Sequence, residues 1–349
     1  MKTEPFLARN VAALRAYTPG EQPQDRGIVK LNTNENPYPP SPAVAAALAA
    51  FDASRLRLYP EPRNLALRRR VAAIHGCGEE QVFVGNGSDE ILALATRAFV
   101  ENDGAIGYFD PSYSLYPVLA DIRGVPRRPV DLGPEFAWRM PPDAAAPLFL
   151  LTVPNAPTGI QYARADVAAF CRGFGGVVLL DEAYADFAAD SFLDLALAPD
   201  NRNTLAMRTL SKSFSLAGLR LGYAVGPAPL VGALQKIKDS YNLDMLTQAV
   251  ALAALGDLDH MRANVARIRA TRGRLAAALA AAGWKVLPSE ANFLFARPPD
   301  GDAPGVFGRL KARGIFVRHF PGPRTGEYMR ITIGSDEQID RLLSSLAQR

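Results

Sequence analysis

Short apolar runs at 82–84, 105–109, 148–152, 177–180, 205–209 and 221–225 alternate with segments of helix length along the first two thirds of the chain. Helical spacing predicts helices near 41–51, 64–75, 88–100 and 162–173. Strands separated in this way predict a mostly parallel sheet covered by helices on both faces. Before it, residues 1–40 show no sustained period and carry Pro19, Pro23, Pro37, Pro39 and Pro40, so they read as an extended arm. The pattern changes after residue 240. A long Ala-, Leu- and Arg-rich helical stretch at 245–282 is interrupted near Gly256 and stops at Gly283. Strand candidates at 284–287, 292–296 and 329–333 and an amphipathic helix at 336–347 then predict a smaller α+β lobe.

The chain has 349 residues, enough for two domains or for one large domain with a lobe. Its 48% apolar and 21% charged residues are ordinary for a globular protein. The net charge of +4 contains no dominant block, and Arg68–Arg70 and Arg127-Arg128 read as solvated faces. Nucleic-acid binding is not implied, while a mildly basic balance suits anionic small molecules. Cys77 and Cys171 lie far apart, as free thiols of a reducing compartment would. The opening Met1-Lys2-Thr3-Glu4-Pro5 lacks the apolar core of a signal peptide. Charges or prolines break every apolar stretch short of the ~20 residues a membrane span needs. The expectation is a cytoplasmic protein with no membrane or nucleic-acid partner.

The chemistry concentrates in two places. Lys212 follows an apolar run, sits among Ser211, Ser213 and Ser215, and precedes Arg220 by eight positions. Burial and a neighbouring cation both disfavour an ammonium, as an amine that attacks a carbonyl at neutral pH requires. Asp181 ends the 177–180 run and is followed three residues later by Tyr184. A carboxylate at the edge of a buried sheet needs a cationic partner, either a protonated pyridine nitrogen or an arginine. Lysine for an imine, aspartate for a pyridinium and arginine for a phosphate form the set that pyridoxal-phosphate (PLP) chemistry needs.

Other segments have a functional and a plainer reading. Gly85-Asn86-Gly87-Ser88-Asp89-Glu90 joins a strand to a helix. It is either a capped turn or a phosphate seat made by free helix amides. Tyr113, in Asp110-Pro111-Ser112-Tyr113-Ser114-Leu115-Tyr116, could stack on a flat ligand at the sheet edge or pack a helix start. Asn155, in Val153-Pro154-Asn155-Ala156-Pro157-Thr158-Gly159, could donate to a phenolate oxygen or satisfy its own turn. His75, His260 and His319 have no ligand spacing, and no metal site is expected. HExxH, GxSxG and GxxxxGK[ST] are all missing, so zinc-protease, serine-hydrolase and P-loop chemistry have no support.

Across nearly its whole length the chain resembles the histidinol-phosphate aminotransferases, members of the fold-type-I PLP superfamily. The matching residues include Ala16-Tyr17-Thr18-Pro19-Gly20-Glu21-Gln22-Pro23, Leu31-Asn32-Thr33-Asn34-Glu35-Asn36-Pro37-Tyr38 and Leu58-Tyr59-Pro60. They continue through Gly87–Glu90, Asp181–Tyr184 and the Lys212 segment to Lys238–Asn242, Glu290–Phe293 and Arg330–Gly334. The resemblance implies an α/β fold with a mostly parallel seven-stranded sheet sandwiched by helices, plus a smaller α+β domain. It implies an arm at 1–45 joining the small domain, a large PLP-binding domain at 46–245 and the small domain at 246–349. Lys212 would carry the cofactor, Asp181 its ring nitrogen, Tyr184 and Asn155 its phenolate oxygen, and Tyr113 its ring face. Ser88, Asp89, Ser211 and Arg220 would hold its phosphate, with Tyr59 reaching the partner subunit's cofactor in a homodimer with shared sites. Tyr17, Asn34, Arg318 and Arg330 would receive substrate. Many relatives carry asparagine where this chain has Ala156, so either Asn155 takes the phenolate contact or Tyr184 makes it alone.

The activity implied is transamination between histidinol phosphate and 2-oxoglutarate in histidine biosynthesis. Aromatic amino acids as substrates, or decarboxylation of a phosphorylated amino acid, are the alternatives on the same scaffold. A PLP-binding regulator would carry a DNA-binding domain, and no segment of helix-turn-helix length precedes the arm.

Overall fold

A computed structural model of the chain describes residues 6–23, 27–140 and 144–348. The opening residues 1–5, read above as the start of the arm, lie outside the described residues. In chain order the strands begin with β1 (Val29–Lys30), β2 (Val82–Asn86), β3 (Ile106–Asp110), β4 (Arg127–Asp131) and β5 (Leu148–Thr152). β6 (Val177–Asp181), β7 (Thr204–Thr209) and β8 (Leu221–Val225) follow. The last are β9 (Lys285–Val286), β10 (Phe293–Arg297), β11 (Ile315–Phe316), β12 (Arg318–His319) and β13 (Met329–Thr332).

Seven strands form the main sheet in the order β2-β8-β7-β6-β5-β3-β4. Only β8 runs against its neighbours, so the expected mostly parallel seven-stranded sheet is observed. β5 (LFLLT) is buried at every position and β6 (VVLLD) at all but its first, which explains their continuous apolar runs. β4 (RRPVD) was not predicted as a strand. It lies at the sheet edge with its residues mostly exposed, where charges and a proline cost no ladder bonds.

Four antiparallel strands, β12-β13-β10-β9, form the second sheet. The arm joins it: β1 pairs with β11, and Val29 and Leu31 share a core with Phe293, Ile331 and Ile339. The arm is not extended throughout, because Arg9–Ala13 form a short helix. The long helical stretch divides into Met245–Gly256 and Leu258–Ala281. The break falls at Asp257, whose carboxylate caps the second helix through the His260 amide and also accepts a 2.5 Å bond from the Ser41 hydroxyl. Helix Met245–Gly256 packs on helices Pro42–Ala49 and Leu65–His75, adding Val250 and Ala254 to the core of the main sheet.

Beneath the ends of β6 and β7, Glu182 is fully buried. Arg208 answers it with Nε and Nη2 bonds of 3.0 Å, and its Nη1 reaches Asp186 at 3.0 Å. Glu182 also accepts from the Ser191 hydroxyl and the Phe192 amide. It is therefore a structural acid, not a cleft group. Removing one partner of a buried ion pair strands the other charge. Arg208→Ala should lower the unfolding free energy by about 3–5 kcal/mol in urea titration, whereas a change below ~1 kcal/mol would show that the network contributes no more than a surface pair.

Candidate active site

The carboxyl ends of β5, β6 and β7 meet helix starts and the arm around a cleft of about 220 Å³. Sheet register sets Thr152 beside Asp181 there. Asp181 is only 4% exposed. Its Oδ1 accepts the Ala183 amide at 3.1 Å and its Oδ2 the Tyr116 hydroxyl at 2.8 Å. Burial raises its pKa to about 6, so the group is ionised at neutral pH, yet among the described residues no cation pairs with it. The arginine alternative for its partner is thereby removed. A carboxylate in this position is suited to a cation brought in by a ligand.

Lys212 lies in the same cleft, with Nζ donating to the Thr33 carbonyl at 3.2 Å. Burial first, and then Arg330, lower its pKa to about 8, with Glu35 opposing and Arg220 adding a smaller push in the same direction. The cation that matters most is therefore not the sequence neighbour. Arg330 approaches from β13, a contact that no local spacing in the chain announces.

Helix Gly87–Phe99 starts in the cleft, and no side chain caps its first turn. The Glu90 carboxylate folds back to the Asn86 amide, not to the amides of 87–89. Gly87 holds a φ of 76°, and a Cβ on it would meet Arg220 Nη2 at 2.6 Å. A Cβ at Gly222 would lie 2.7 Å from the Ser88 nitrogen. Two glycines thus let β8 and the Arg220 guanidinium close against the helix start. Arg220 donates to the Ser211 hydroxyl at 3.4 Å and to Asp89 at 3.3 Å. Neither Ser88 nor Asp89 is a cap. The helix-start amides, Ser211 and Arg220 together could hold an anion.

Tyr113 lines the cleft with its ring edge-on to Tyr17 (6.1 Å) and Tyr116 (5.6 Å). Tyr184 also lines it, and its hydroxyl accepts a 2.9 Å bond from the Asn34 amide nitrogen. Arg318 and Arg330 are directly opposed on β12 and β13. Arg318 donates to the carbonyls of Thr18 and Pro19, and Arg330 to that of Asn32. Both guanidinium groups lie over the Phe320 ring, at 5.6 and 5.2 Å, and that of Arg330 also over Phe293 at 5.3 Å. The Nε of Arg330 is buried with no partner. Like charges held opposite one another across two strands favour a bound anion.

Two expected residues are already committed, and Tyr59, expected to reach the partner subunit's cofactor, stands apart from this cleft. Asn155 is wholly buried beneath the cleft wall, and Ala156 faces the cavity instead. Its Nδ2 donates to the Pro111 carbonyl at 3.3 Å and its Oδ1 accepts from the Thr158 hydroxyl at 2.8 Å, so the amide satisfies its own turn. Tyr59 is 78% exposed, stacked 4.4 Å from Tyr241 and outside this cleft. Asn34 reaches the cleft wall, but both ends of its amide are taken, by Tyr184 and by Thr332. Tyr116, which holds Asp181, and Thr152, whose hydroxyl bonds that of Tyr116 at 2.6 Å, were missed. Tyr116 stands in the same motif as Tyr113, but only its distance to Asp181 distinguishes their tasks.

Among the described residues no group of three or more His, Cys, Asp or Glu could hold a metal, and no helix is long and apolar enough to cross a membrane. The sequence profile of the class I and II aminotransferases matches residues 26–346. Histidinol-phosphate aminotransferase 2 of Thiobacillus denitrificans is 44% identical over 99% of this chain and 98% of its own length. Histidinol-phosphate aminotransferase 1 of Bradyrhizobium diazoefficiens is 46% identical over 98% and 99%. Among solved structures, the PLP complex of the histidinol-phosphate aminotransferase from Sinorhizobium meliloti shares the fold, with a TM-score of 0.87, 24% identity and 99% and 97% coverage. A putative aminotransferase from Burkholderia pseudomallei gives 0.81, 29% identity and 92% and 98% coverage. The cleft fits the cofactor of such enzymes: a lysine of lowered pKa, a buried carboxylate lacking a cation and a helix start suited to an anion open into one cavity. The chain belongs to the PLP-dependent class I and II aminotransferases, an enzyme family.

Proposed function

We propose that this aminotransferase exchanges the amino group of histidinol phosphate with 2-oxoglutarate, in the cytoplasm, as a homodimer. The observation that carries the substrate reading is the opposed pair Arg318 and Arg330 in the cleft that holds Lys212. A phosphate monoester carries nearly two charges and accepts bidentate guanidinium bonds. Relatives named for histidinol phosphate, at 44% and 46% identity over nearly full length, support the same reading.

PLP, when bound, supplies an electron-withdrawing ring that stabilises negative charge at the substrate carbon. Lys212 would hold the cofactor and then, once displaced by the incoming amine, carry a proton to and from that carbon as a neutral base. Its lowered pKa suits both tasks. Asp181 would hold the proton on the ring nitrogen, kept in place by Tyr116 and the Ala183 amide. Tyr184 would donate to the ring oxygen without help from Asn155, and Tyr113 would cover the ring face. The amides of Ser88 and Asp89, with Ser211 and Arg220, would seat the phosphate. Tyr17 would line the substrate end with the two arginines.

Tyr59 is assigned to the partner subunit's cleft. Its exposure beside exposed Leu56, Leu58 and Tyr241 supports a face covered by a second copy. The reading keeps an arm at 1–45, a large domain from 46 and a small domain to 349. The packing of helix Met245–Gly256 on the main core favours drawing the second boundary at Asp257 instead of 245.

Three outcomes are expected. The rate at which apoenzyme captures PLP should rise as pH passes about 8, the value for Lys212, because the amine is protonated below it and free above it. Borohydride should then fix the cofactor on the peptide containing Lys212, and label on another lysine would refute its role. Asp181→Asn should lower kcat by roughly 100- to 1000-fold, the scale of a lost preorganised charge contact, with little change in thermal unfolding. A near-normal half-reaction would make the carboxylate merely structural. Arg330→Ala and Arg318→Ala should each raise KM for histidinol phosphate roughly 10- to 100-fold, as loss of charge-assisted bonds does, while phenylalanine is affected far less. Equal losses for both substrates, or a wild type that prefers phenylalanine, would end the histidinol-phosphate reading.

A further inference from the structure

Asn34 was expected to receive substrate, yet its hydrogen bonds face inward. It stands just beyond β1 with a φ of 56°, a left-handed conformation that asparagine tolerates better than most residues. Its backbone amide donates to the Thr332 hydroxyl at 3.0 Å, and that hydroxyl donates back to Asn34 Oδ1 at 2.9 Å. Asn292 Nδ2 fixes the Asn34 carbonyl at 3.0 Å. With Oδ1 filled by Thr332, the end of the amide left for Tyr184 is Nδ2, which can only donate. It does so at 2.9 Å to the phenol oxygen.

A phenol has one proton to give. An acceptor beside Tyr184 would draw that proton away from the cleft, whereas the Asn34 donor occupies a lone pair and leaves the proton unused. We infer that Asn34 is a positioning residue that sets the direction of the Tyr184 hydroxyl, holding it as a donor toward the ring oxygen of bound PLP through the chain Thr332, Asn34, Tyr184. This rests on the proposed placement of the cofactor. It also replaces the substrate-binding role expected of Asn34. Because Ala156 brings no polar group to that wall, Tyr184 is the donor available there, so its direction matters more. The three residues come from the arm, the second sheet and the loop after β6, so the cofactor's electronics depend on how these parts sit together.

The colour of the loaded enzyme reports on this arrangement without turnover. With PLP held on Lys212, the colour would follow the protonation of the Lys212 nitrogen, which the charge on the ring oxygen would influence. A donor on that oxygen withdraws charge and makes the proton easier to lose, so losing the donor raises the pH midpoint of the colour change. Asn34→Gly removes the amide while keeping a residue at ease with positive φ. It should move the midpoint up by about half to one pH unit, the size of one neutral hydrogen bond. Thr332→Val, which frees the amide to turn over, should move it in the same direction. Arg330, Asp181 and Tyr17 also face Tyr184 and are untouched in these variants.

The discriminating measurement is a double-mutant cycle. Tyr184→Phe should raise the midpoint by itself, and Asn34→Gly in that background should add nothing, because its effect passes through the phenol. An equal shift with and without the phenol, or no shift in Asn34→Gly protein that folds and binds PLP, overturns the inference. A wild-type protein that takes up no PLP overturns it together with the functional reading.

Discussion

The site is organised around a carboxylate that the protein leaves without a cation. Asp181 is carried to the edge of the main sheet by a strand whose remaining residues are apolar, and it is ionised at neutral pH despite its burial. Two neutral donors hold it, enough to fix its direction but not to cancel its charge. The charge balance of the cleft is completed only by a ligand. The same economy recurs at the other end, where Arg318 and Arg330 oppose one another. Among the described residues they donate to backbone carbonyls and lie over phenyl rings, with no carboxylate paired to either. Excess negative charge at one wall and excess positive charge at the other favour a molecule that is cationic at one point and anionic at another.

Between these poles, the proton affinity of Lys212 is lowered by dehydration and by Arg330. One arginine therefore both attracts an anion and lowers the basicity of the amine. An anion bound at Arg330 would weaken its influence on Lys212, which couples occupancy of the substrate end to the lysine's affinity for a proton. Glu35 pulls the other way from the arm and offsets part of this lowering.

Much of this was legible in the chain. The fully buried strands announced themselves as apolar runs, and Lys212, Asp181, Arg220 and Tyr184 stood out because each breaks an apolar or small-residue context with one chemically costly group. β4 escaped because an edge strand can be as polar as a loop. The role of Asn155 stayed open in the sequence because a turn amide and a ligand-facing amide look alike there, and its bonds in the structure are those of the turn. The commitment of Asn34 was hidden for a different reason. It depends on Thr332, 298 positions away, and no local pattern encodes a contact of that span. The pressure of Arg330 on Lys212 was invisible for the same cause.

The pairing of β1 with β11 has a consequence for how the molecule comes into being. Val29 lies against Ile315, so the first strand to leave the ribosome finds its mate only when most of the chain has been made. Closing so long a loop is entropically unfavourable until the sheets at either end already exist. The main sheet can assemble from its own neighbours in the meantime, with Lys212 and Asp181 already at its rim. The arm then threads its carbonyls beneath Lys212 and Arg330 as a late act of folding. A chain stopped short of residue 315 would hold Lys212 and Asp181 with neither the docked arm nor the two arginines of the second sheet.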